Sequence, residues 1–209
     1  MALAPFISLD GIDGTGKSTQ CRLLVDWLKA NGIPALGCAD PGGTALGDRL
    51  RAILLGQDAE ISPRAEALLF MASRAELVSR IIRPALEAGT VVVSDRFVTA
   101  NVVYQGHAGG LSPADLWAVG DFSTGGLRPD LTFILDLPVA QAVARRDRPA
   151  DRMESRGLEY SERVRQGFLS EAADSGRYQV IDATADSATL HARIRDRVEA
   201  FLQLRGDER

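Results

Sequence analysis

One stretch of this sequence reads Gly11-Ile12-Asp13-Gly14-Thr15-Gly16-Lys17-Ser18 and fits the phosphate-binding pattern G-x-x-x-x-G-K-[ST]. Its glycines let the backbone turn N–H groups inward around a di- or triphosphate, and the following helix directs its partial positive charge to the same place. The pattern predicts that Lys17 reaches the β- and γ-phosphates and that the Ser18 hydroxyl ligates Mg²⁺. The predicted nucleotide-binding residues are Gly11, Asp13, Gly14, Thr15, Gly16, Lys17, Ser18 and Thr19.

The alternative is a glycine-rich turn that fits the pattern by accident. Four specified positions recur by chance in roughly one chain per hundred of this length, so the flanking sequence matters. An apolar run at 6–9 precedes the loop, and a helix-like segment at 21–28 follows it. A strand before and an amphipathic helix after are what the phosphate-binding mechanism requires, and they favour that interpretation.

The composition predicts one ordinary globular domain over residues 1–209. The chain has 45% hydrophobic and 25% charged residues, as such domains do. Its net charge of −4 does not favour a nucleic-acid partner, because proteins that bind nucleic acids usually carry an excess of basic residues. Cys21 and Cys38 match neither a disulfide framework nor a zinc spacing. No apolar run approaches the length of a membrane span, and residues 1–5 lack a basic leader segment. We therefore expect a cytoplasmic protein without a membrane partner.

Strand-like and helix-like segments alternate along the chain. The strands are expected at 6–10, 33–39, 90–94, 131–137 and 178–181. A closing helix is expected at 188–204, with Leu190, Ile194, Val198, Phe201 and Leu202 on one side. This alternation predicts a three-layer α/β fold of the P-loop NTPase type, in which helices flank a five-stranded parallel sheet. Ligands bind at the carboxyl ends of the strands in such sheets.

One long helix is expected to begin at Ser62-Pro63, with Ser62 as its cap and Pro63 in its first turn. Pro84 is expected to kink it before Gly89 ends it. Its predicted buried face consists of Leu69, Ala72, Leu77, Ile81 and Leu86.

Two charged segments are candidates for contacts with phosphate. Asp95 and Arg96 follow the strand at 90–94, so they reach the sheet edge where the glycine-rich loop opens. The alternative for them is a structural ion pair at the end of a strand. Residues 145–156 contain five arginines and predict a lid that closes basic side chains over the transferring phosphates. A solvated surface segment is the other interpretation of this run.

Several motifs together resemble the thymidylate kinase family. They are Asp40-Pro41-Gly42-Gly43-Thr44, Asp95-Arg96-Phe97 with Tyr104-Gln105, Arg128-Pro129-Asp130-Leu131-Thr132 leading into Leu135-Asp136-Leu137, and Asp151-Arg152-Met153-Glu154. The order and the spacing of these motifs carry the resemblance. It extends over nearly the whole chain, from Ile7 to about Leu202.

The resemblance implies transfer of the γ-phosphoryl of ATP to dTMP, with Mg²⁺. It makes Lys17, Asp13, Asp95, Arg96 and the lid arginines Arg145, Arg148 and Arg152 the catalytic residues. Ser18 and Asp95 are the implied metal ligands. The loop has no arginine between Asp13 and Lys17, and members of the family without one tend to supply it from the lid.

The resemblance also implies an acceptor site. Arg51 and Arg96 hold the acceptor phosphate, Phe70 stacks on thymine, and Arg74 binds the edge of the base from the same face of its helix. Asn101 adds a base contact, and the ring of Tyr104 crowds a ribose 2′-hydroxyl. Asp40 and Gln105 complete this set. Without the resemblance, the favoured interpretation of Phe70 is a core aromatic residue, and that of Arg74 is a surface charge.

The chain departs from the family pattern at a few positions. Asp10 and Asp40 stand where Glu is usual, Ala39 replaces an arginine, and Ala100 stands where serine is common. These changes leave open an acceptor other than dTMP. A homodimer is expected by analogy with the family. A GTPase switch is disfavoured because no Asn-Lys-x-Asp string occurs.

Overall fold

The central sheet is parallel throughout and has five strands. In the computed structural model, which describes residues 3–56, 60–146, 152–173 and 176–207, the strand order is β2-β3-β1-β4-β5. The strands are β1 (Phe6–Asp10), β2 (Ala35–Ala39), β3 (Val91–Asp95), β4 (Leu131–Asp136) and β5 (Tyr178–Asp182). The predicted fold class and all five predicted strands are confirmed, with their ends shifted by two residues or fewer.

Helices connect the strands. In the described residues they are α1 (Lys17–Ala30), α2 (Ala45–Leu55), α3 (Pro63–Leu77), α4 (Arg83–Glu87), α5 (Val98–Asn101), α6 (Pro113–Thr124), α7 (Val139–Ala144), α8 (Leu158–Ala173) and α9 (Ser187–Asp207). A π-helical segment at Val78–Ile82 joins α3 to α4, another at Val102–His107 continues α5, and a 3₁₀ turn spans Glu154–Arg156. Within these helices, none is long and apolar enough to cross a membrane.

Apolar side chains cover both faces of the sheet. Every residue of β1 is buried, and successive side chains of a strand point to opposite faces. Ile7 and Leu9 accordingly pack in one cluster with residues of α1, α8 and α9. Phe6 packs in a second cluster with residues of α3 and α6. The two clusters lie between the sheet and the helices on each of its faces, which gives the three layers that the alternation of strands and helices predicts.

The long helix predicted from Ser62 is interrupted. Ser62 is the N-cap of α3 and Pro63 lies in its first turn, as predicted, but the Ser62 side chain makes no capping hydrogen bond. The chain widens into the π-helical turn just before Pro84. Proline lacks an N–H and its ring crowds the carbonyl four residues earlier, so the disturbance falls in the preceding turn. The predicted kink therefore takes the form of a π-helical turn.

The buried face of α3 differs from the predicted one. Leu77 is buried as expected, but Ala72 is exposed. The inner face instead includes the polar residues Glu66, Ser73 and Arg74. Of the other predicted residues, Leu86 is buried and two are half-buried. The predicted face is therefore correct in part, and what the apolar pattern did not show is that polar side chains also turn inward.

Candidate active site

The glycine-rich loop connects β1 to α1 and packs closely against α7. Gly14 has a φ of 91°, and a Cβ atom there would lie 2.2 Å from the carbonyl oxygen of Ala142. This position thus excludes any side chain. Thr15 is buried and its hydroxyl donates to the Ile12 carbonyl at 3.0 Å, which closes the loop on itself.

The sheet order brings the two predicted phosphate-binding motifs together. Because β1 and β3 are neighbours, the loop after β1 and the Asp95-Arg96 pair at the end of β3 meet at one edge. The Ser18 hydroxyl donates to Asp95 Oδ2 at 2.5 Å. Oxygens are the atoms that Mg²⁺ prefers, and Mg²⁺ is usually held by one or two protein oxygens together with phosphates and waters. The Ser18 and Asp95 oxygens fit this pattern. The described residues contain no group of three or more His, Cys, Asp or Glu side chains that could hold a metal alone.

A cavity of about 520 Å³ opens at this edge. It is lined by predicted residues from the loop, from α1 to α3, from α5 and its π-helical extension, and from the start of the lid. They are Asp13, Gly14, Gly16, Lys17, Ser18, Thr19, Asp40, Arg51, Phe70, Arg74, Asp95, Arg96, Asn101, Tyr104, Gln105 and Arg145. Gly11 lies buried in the loop backbone. Leu55, Arg146 and Met153 also line the cavity; Arg146 and Met153 belong to the predicted lid segment, whereas no motif had pointed to Leu55.

Lys17 is buried, with 6% of the residue exposed. Its ammonium group donates to the Ile12 carbonyl at 2.8 Å and lies 3.7 Å from Asp13 Oδ1. Burial and the charge of Arg96 lower the pKa of Lys17, whereas Asp13 and Asp95 raise it. The lysine is therefore a desolvated cation held at the mouth of the loop.

Asp13, Arg96 and Tyr104 form a closed triangle. Arg96 Nη2 donates to Asp13 Oδ1 at 2.6 Å and to the Tyr104 hydroxyl at 3.0 Å. The Tyr104 hydroxyl donates to Asp13 Oδ2 at 3.1 Å. Although burial raises the pKa of Asp13, the charges of Arg96 and Lys17 hold it below its ordinary value. Arg96 has a φ of 73°, an uncommon conformation for a residue with a side chain. Its hydrogen bonds to Asp13 and Tyr104 hold the guanidinium against the loop.

Arg74 and Asp40 form a buried ion pair that lines the cavity. We call the part of the cavity lined by the predicted acceptor-binding residues its acceptor side. Arg74 Nε donates to Asp40 Oδ2 at 2.5 Å. Both residues are nearly inaccessible, Arg74 with 1% exposed and Asp40 with 2%, so Arg74 is not a surface charge. Burial raises the pKa of Asp40 above its ordinary value, although the charge of Arg74 lowers it. Asp40 thus orients Arg74, which also donates to Asn101 Oδ1 at 3.1 Å.

Phe70 and Arg51 also line this cavity. Phe70 lines the cavity and lies one helical turn before Arg74 on α3. Arg51 donates to the carbonyl of Pro41 at 2.7 Å, so its guanidinium lies beside the Pro-Gly-Gly loop. This arrangement brings the predicted stacking ring and a predicted phosphate ligand to one cavity.

The lid arginines are directed to different places. Arg145 donates to the carbonyls of Ala183 at 2.9 Å and Thr184 at 3.1 Å, beside the end of β5. Arg152 is not among the residues that line the cavity. It pairs with Glu66 at 2.7 Å and donates to the Leu54 carbonyl at 2.8 Å. The predicted lid at 145–156 is only partly described, and Arg148 lies outside the described residues.

Glu66 is the site residue that sequence reasoning missed. Its carboxylate accepts hydrogen bonds from Gln105, at 2.9 Å, and from Arg156. A signal was present, because Glu66, Phe70 and Arg74 follow one another at intervals of four on α3 and so share one face.

Comparisons with known proteins agree with this geometry. A family model described as thymidylate kinase matches residues 9–194. A thymidylate kinase of Rhodopirellula baltica is 49% identical over 179 residues, which are 85% of this chain and 73% of that protein. The thymidylate kinase of Symbiobacterium thermophilum is 45% identical over 206 residues, which are 97% and 96% of the two chains. That of Fervidobacterium nodosum is 41% identical over 198 residues, which are 94% and 100%. On these matches, this chain belongs to the thymidylate kinase family.

Proposed function

We propose that this protein transfers the γ-phosphoryl group of ATP to dTMP, giving dTDP and ADP. One observation carries the proposal beyond family membership. A single cavity is lined both by the phosphate-binding loop and by the set Phe70, Arg74 and Asn101, which suits a pyrimidine base. Donor and acceptor phosphates can therefore meet in line within one enclosure.

The donor side requires the loop to hold a triphosphate. Backbone N–H groups of the loop and the ammonium group of Lys17 bind the β- and γ-phosphates. Ser18 and Asp95 would hold Mg²⁺, which when bound neutralises charge on the phosphates. Arg145, which donates to the carbonyls after β5, would cover the donor nucleotide. Binding of ATP requires Lys17 to exchange its contact with the Ile12 carbonyl for phosphate oxygens.

The acceptor side requires the 5′-phosphate of dTMP to approach the γ-phosphorus. Arg96 and Arg51 bind this phosphate, and Asp13 keeps Arg96 aimed by their short hydrogen bond. An acceptor phosphate oxygen forms a bond to the γ-phosphorus of ATP. The bond from that phosphorus to the oxygen that bridges the β- and γ-phosphates breaks, and ADP leaves. The phosphate dianion is itself the nucleophile, so positioning and charge stabilisation account for catalysis.

An assay of ADP release tests the proposal. Mg-ATP is supplied with dTMP, dUMP, UMP, dCMP, dAMP, dGMP or no acceptor. We expect kcat/KM for dTMP to exceed that for each other acceptor by orders of magnitude, which would make Ala39, Asp40 and Ala100 tolerated variants. A higher kcat/KM for another monophosphate would identify that nucleotide as the acceptor in place of dTMP. Acceptor-independent hydrolysis alone would contradict a kinase.

A homodimer is part of the proposal. The adjoining helices α2, α3 and α6 expose large apolar side chains, namely Leu46 at 48%, Ile53 at 48%, Leu68 at 57% and Phe122 at 89%. Surfaces of this kind mark sites of protein association. Light scattering should give twice the mass of the chain for the wild type and a monomer for Phe122→Glu. A monomeric wild type would contradict the proposed homodimer.

The cytoplasm is the proposed location, because ATP and dTMP are charged nucleotides used inside the cell. The net charge of −4 supports a protein without a nucleic-acid partner. Cell fractionation tests the first statement, and a gel-shift titration with DNA tests the second.

A further inference from the structure

The carboxylate of Glu66 lies on the inner face of α3, and 1% of the residue is exposed. Its Oε2 accepts hydrogen bonds from Arg152 Nη1 at 2.7 Å and from Arg156 Nη2 at 2.5 Å. We call Glu66 with Arg152 and Arg156 the Glu66 clasp. The clasp fastens residues of the lid segment to the helix that carries Phe70 and Arg74.

A line of hydrogen bonds leads from Glu66 to the acceptor side of the cavity. Glu66 Oε1 accepts from Gln105 Nε2 at 2.9 Å, and Gln105 Oε1 accepts from Asn101 Nδ2 at 2.8 Å. Asn101 Oδ1 in turn accepts from Arg74 Nη1 at 3.1 Å. Gln105, Asn101 and Arg74 line the cavity, and Glu66 is not among its lining residues. Glu66 can therefore affect a bound acceptor only through these neighbours.

The chemistry of the end groups sets the direction of this line. A guanidinium only donates hydrogen bonds, and a carboxylate only accepts them. Arg74 turns the oxygen of Asn101 toward itself, so the amide nitrogens of Asn101 and Gln105 both point toward Glu66. Arg152 and Arg156 donate to Glu66 from the other side. A carboxylate can accept from both sides, whereas an amide at position 66 would have to direct an N–H at one group of donors.

We propose that Glu66 is a positioning residue for acceptor specificity, which fixes the amide orientations of Gln105 and Asn101 and holds the lid residues Arg152 and Arg156. The proposal rests on the proposed function, because it takes Arg74 and Asn101 as the residues that bind the base. Thymine offers an N3–H donor and an O4 acceptor, whereas cytosine offers an acceptor at N3 and an amino donor at C4. An oxygen of Asn101 and N–H groups of Arg74 match thymine and oppose cytosine.

The first test compares kcat/KM for dTMP and dCMP. Glu66→Gln and Gln105→Leu should each lower the dTMP-to-dCMP ratio by about tenfold or more, because Asn101 then keeps its contact with Arg74 but loses the fixed acceptor for its amide nitrogen. Glu76→Gln is the matched control, since Glu76 lies on the same helix but pairs with Arg80 and should keep the wild-type ratio. An equal loss on both substrates in Glu66→Gln and Gln105→Leu would indicate a merely structural role and overturn the proposal.

The second test examines the clasp without any substrate. Trypsin must take an arginine side chain into its own pocket, so the clasp should slow cleavage after Arg152 and Arg156. Mass spectrometry should show severalfold faster cleavage at these sites in Glu66→Gln, and the wild-type rate in Gln105→Leu and Glu76→Gln. An unchanged rate in Glu66→Gln would overturn the clasp.

Two further measurements keep the outcome unambiguous. Thermal melting shows whether each variant is folded. If Glu66→Gln is not, Gln105→Leu decides the specificity part and Arg156→Gln, by faster cleavage after Arg152, decides the clasp. A wild type without preference for dTMP would instead reject the proposed function, and the cleavage rates would still decide the clasp.

Discussion

Lys17 is the cation built into the phosphate-binding loop, and it is held desolvated by the Ile12 carbonyl. Its charge is needed most as negative charge builds up on the transferring phosphoryl group. We expect Lys17→Ala to lower kcat by a hundredfold or more, which corresponds to about 3 kcal/mol. The measurement is steady-state ADP release with saturating dTMP.

The other lysine of the chain supplies the control. Lys29 lies exposed in the last turn of α1, so Lys29→Ala should keep the wild-type kcat. Near-normal turnover in Lys17→Ala would reject the assignment of the loop.

Tyr104 combines a ring and a hydroxyl that should have separable roles. The ring is expected to exclude a ribose 2′-hydroxyl, while the hydroxyl bonds Asp13 and Arg96. Tyr104→Ala should narrow the preference for dTMP over its ribonucleotide counterpart, whereas Tyr104→Phe should keep the preference and lower kcat. The kcat/KM ratio for the two acceptors measures this. An unchanged ratio in Tyr104→Ala would place the discrimination elsewhere.

Individual residues were predictable from sequence where one motif contains the whole chemistry. The loop pattern, together with the strand before it and the helix after it, pointed to Lys17 and Ser18. The burial of Arg74 was not predictable in this way, because its counter-ion Asp40 lies 34 positions away in the sequence. Glu66 was missed for the same reason, since its arginine partners come from the lid.

The phosphate-binding loop acts as a unit whose fit against α7 depends on Gly14. Gly14→Ala should raise the KM for ATP by about tenfold and lower the melting temperature, because the new methyl group would meet the Ala142 carbonyl. Gly89→Ala is the matched control. Gly89 also has a positive φ, of 81°, but its Cβ position is open. Equal effects of the two substitutions would mean that backbone strain alone, and not contact with α7, explains the result.

Elements with a repeating apolar pattern were predicted well, and those facing the cavity were not. The closing helix α9 buries Leu190, Ile194 and Val198, which were all predicted. In α3 the same reasoning selected Ala72, which is exposed. Hydrophobic periodicity identifies the side of a helix that faces an apolar core, and it does not reveal the polar residues that α3 also buries on its inner side.

The fold encloses one acid, Asp10, near charged residues of the candidate site. Asp10 ends β1 and has no exposed surface. Burial raises its pKa to about 7, although Arg96 and Lys17 lower it. The order of the sheet, with β1 between β3 and β4, causes this burial. The alternation of strands and helices predicts a parallel sheet but does not show which acid will be enclosed.

This buried acid should make the stability of the protein depend on pH. A carboxyl group whose pKa is raised by folding stabilises the folded state at low pH, and this contribution is lost as the pH rises through about 7. The free energy of unfolding of Asp10→Asn, relative to wild type, should therefore increase by about 1–3 kcal/mol from pH 5 to pH 8. Denaturant titrations with EDTA and without nucleotides measure this difference. Asp26→Asn, on the exposed face of α1, should run parallel to the wild type. A parallel curve for Asp10→Asn as well would show that Asp10 is ionised in the folded protein throughout this range.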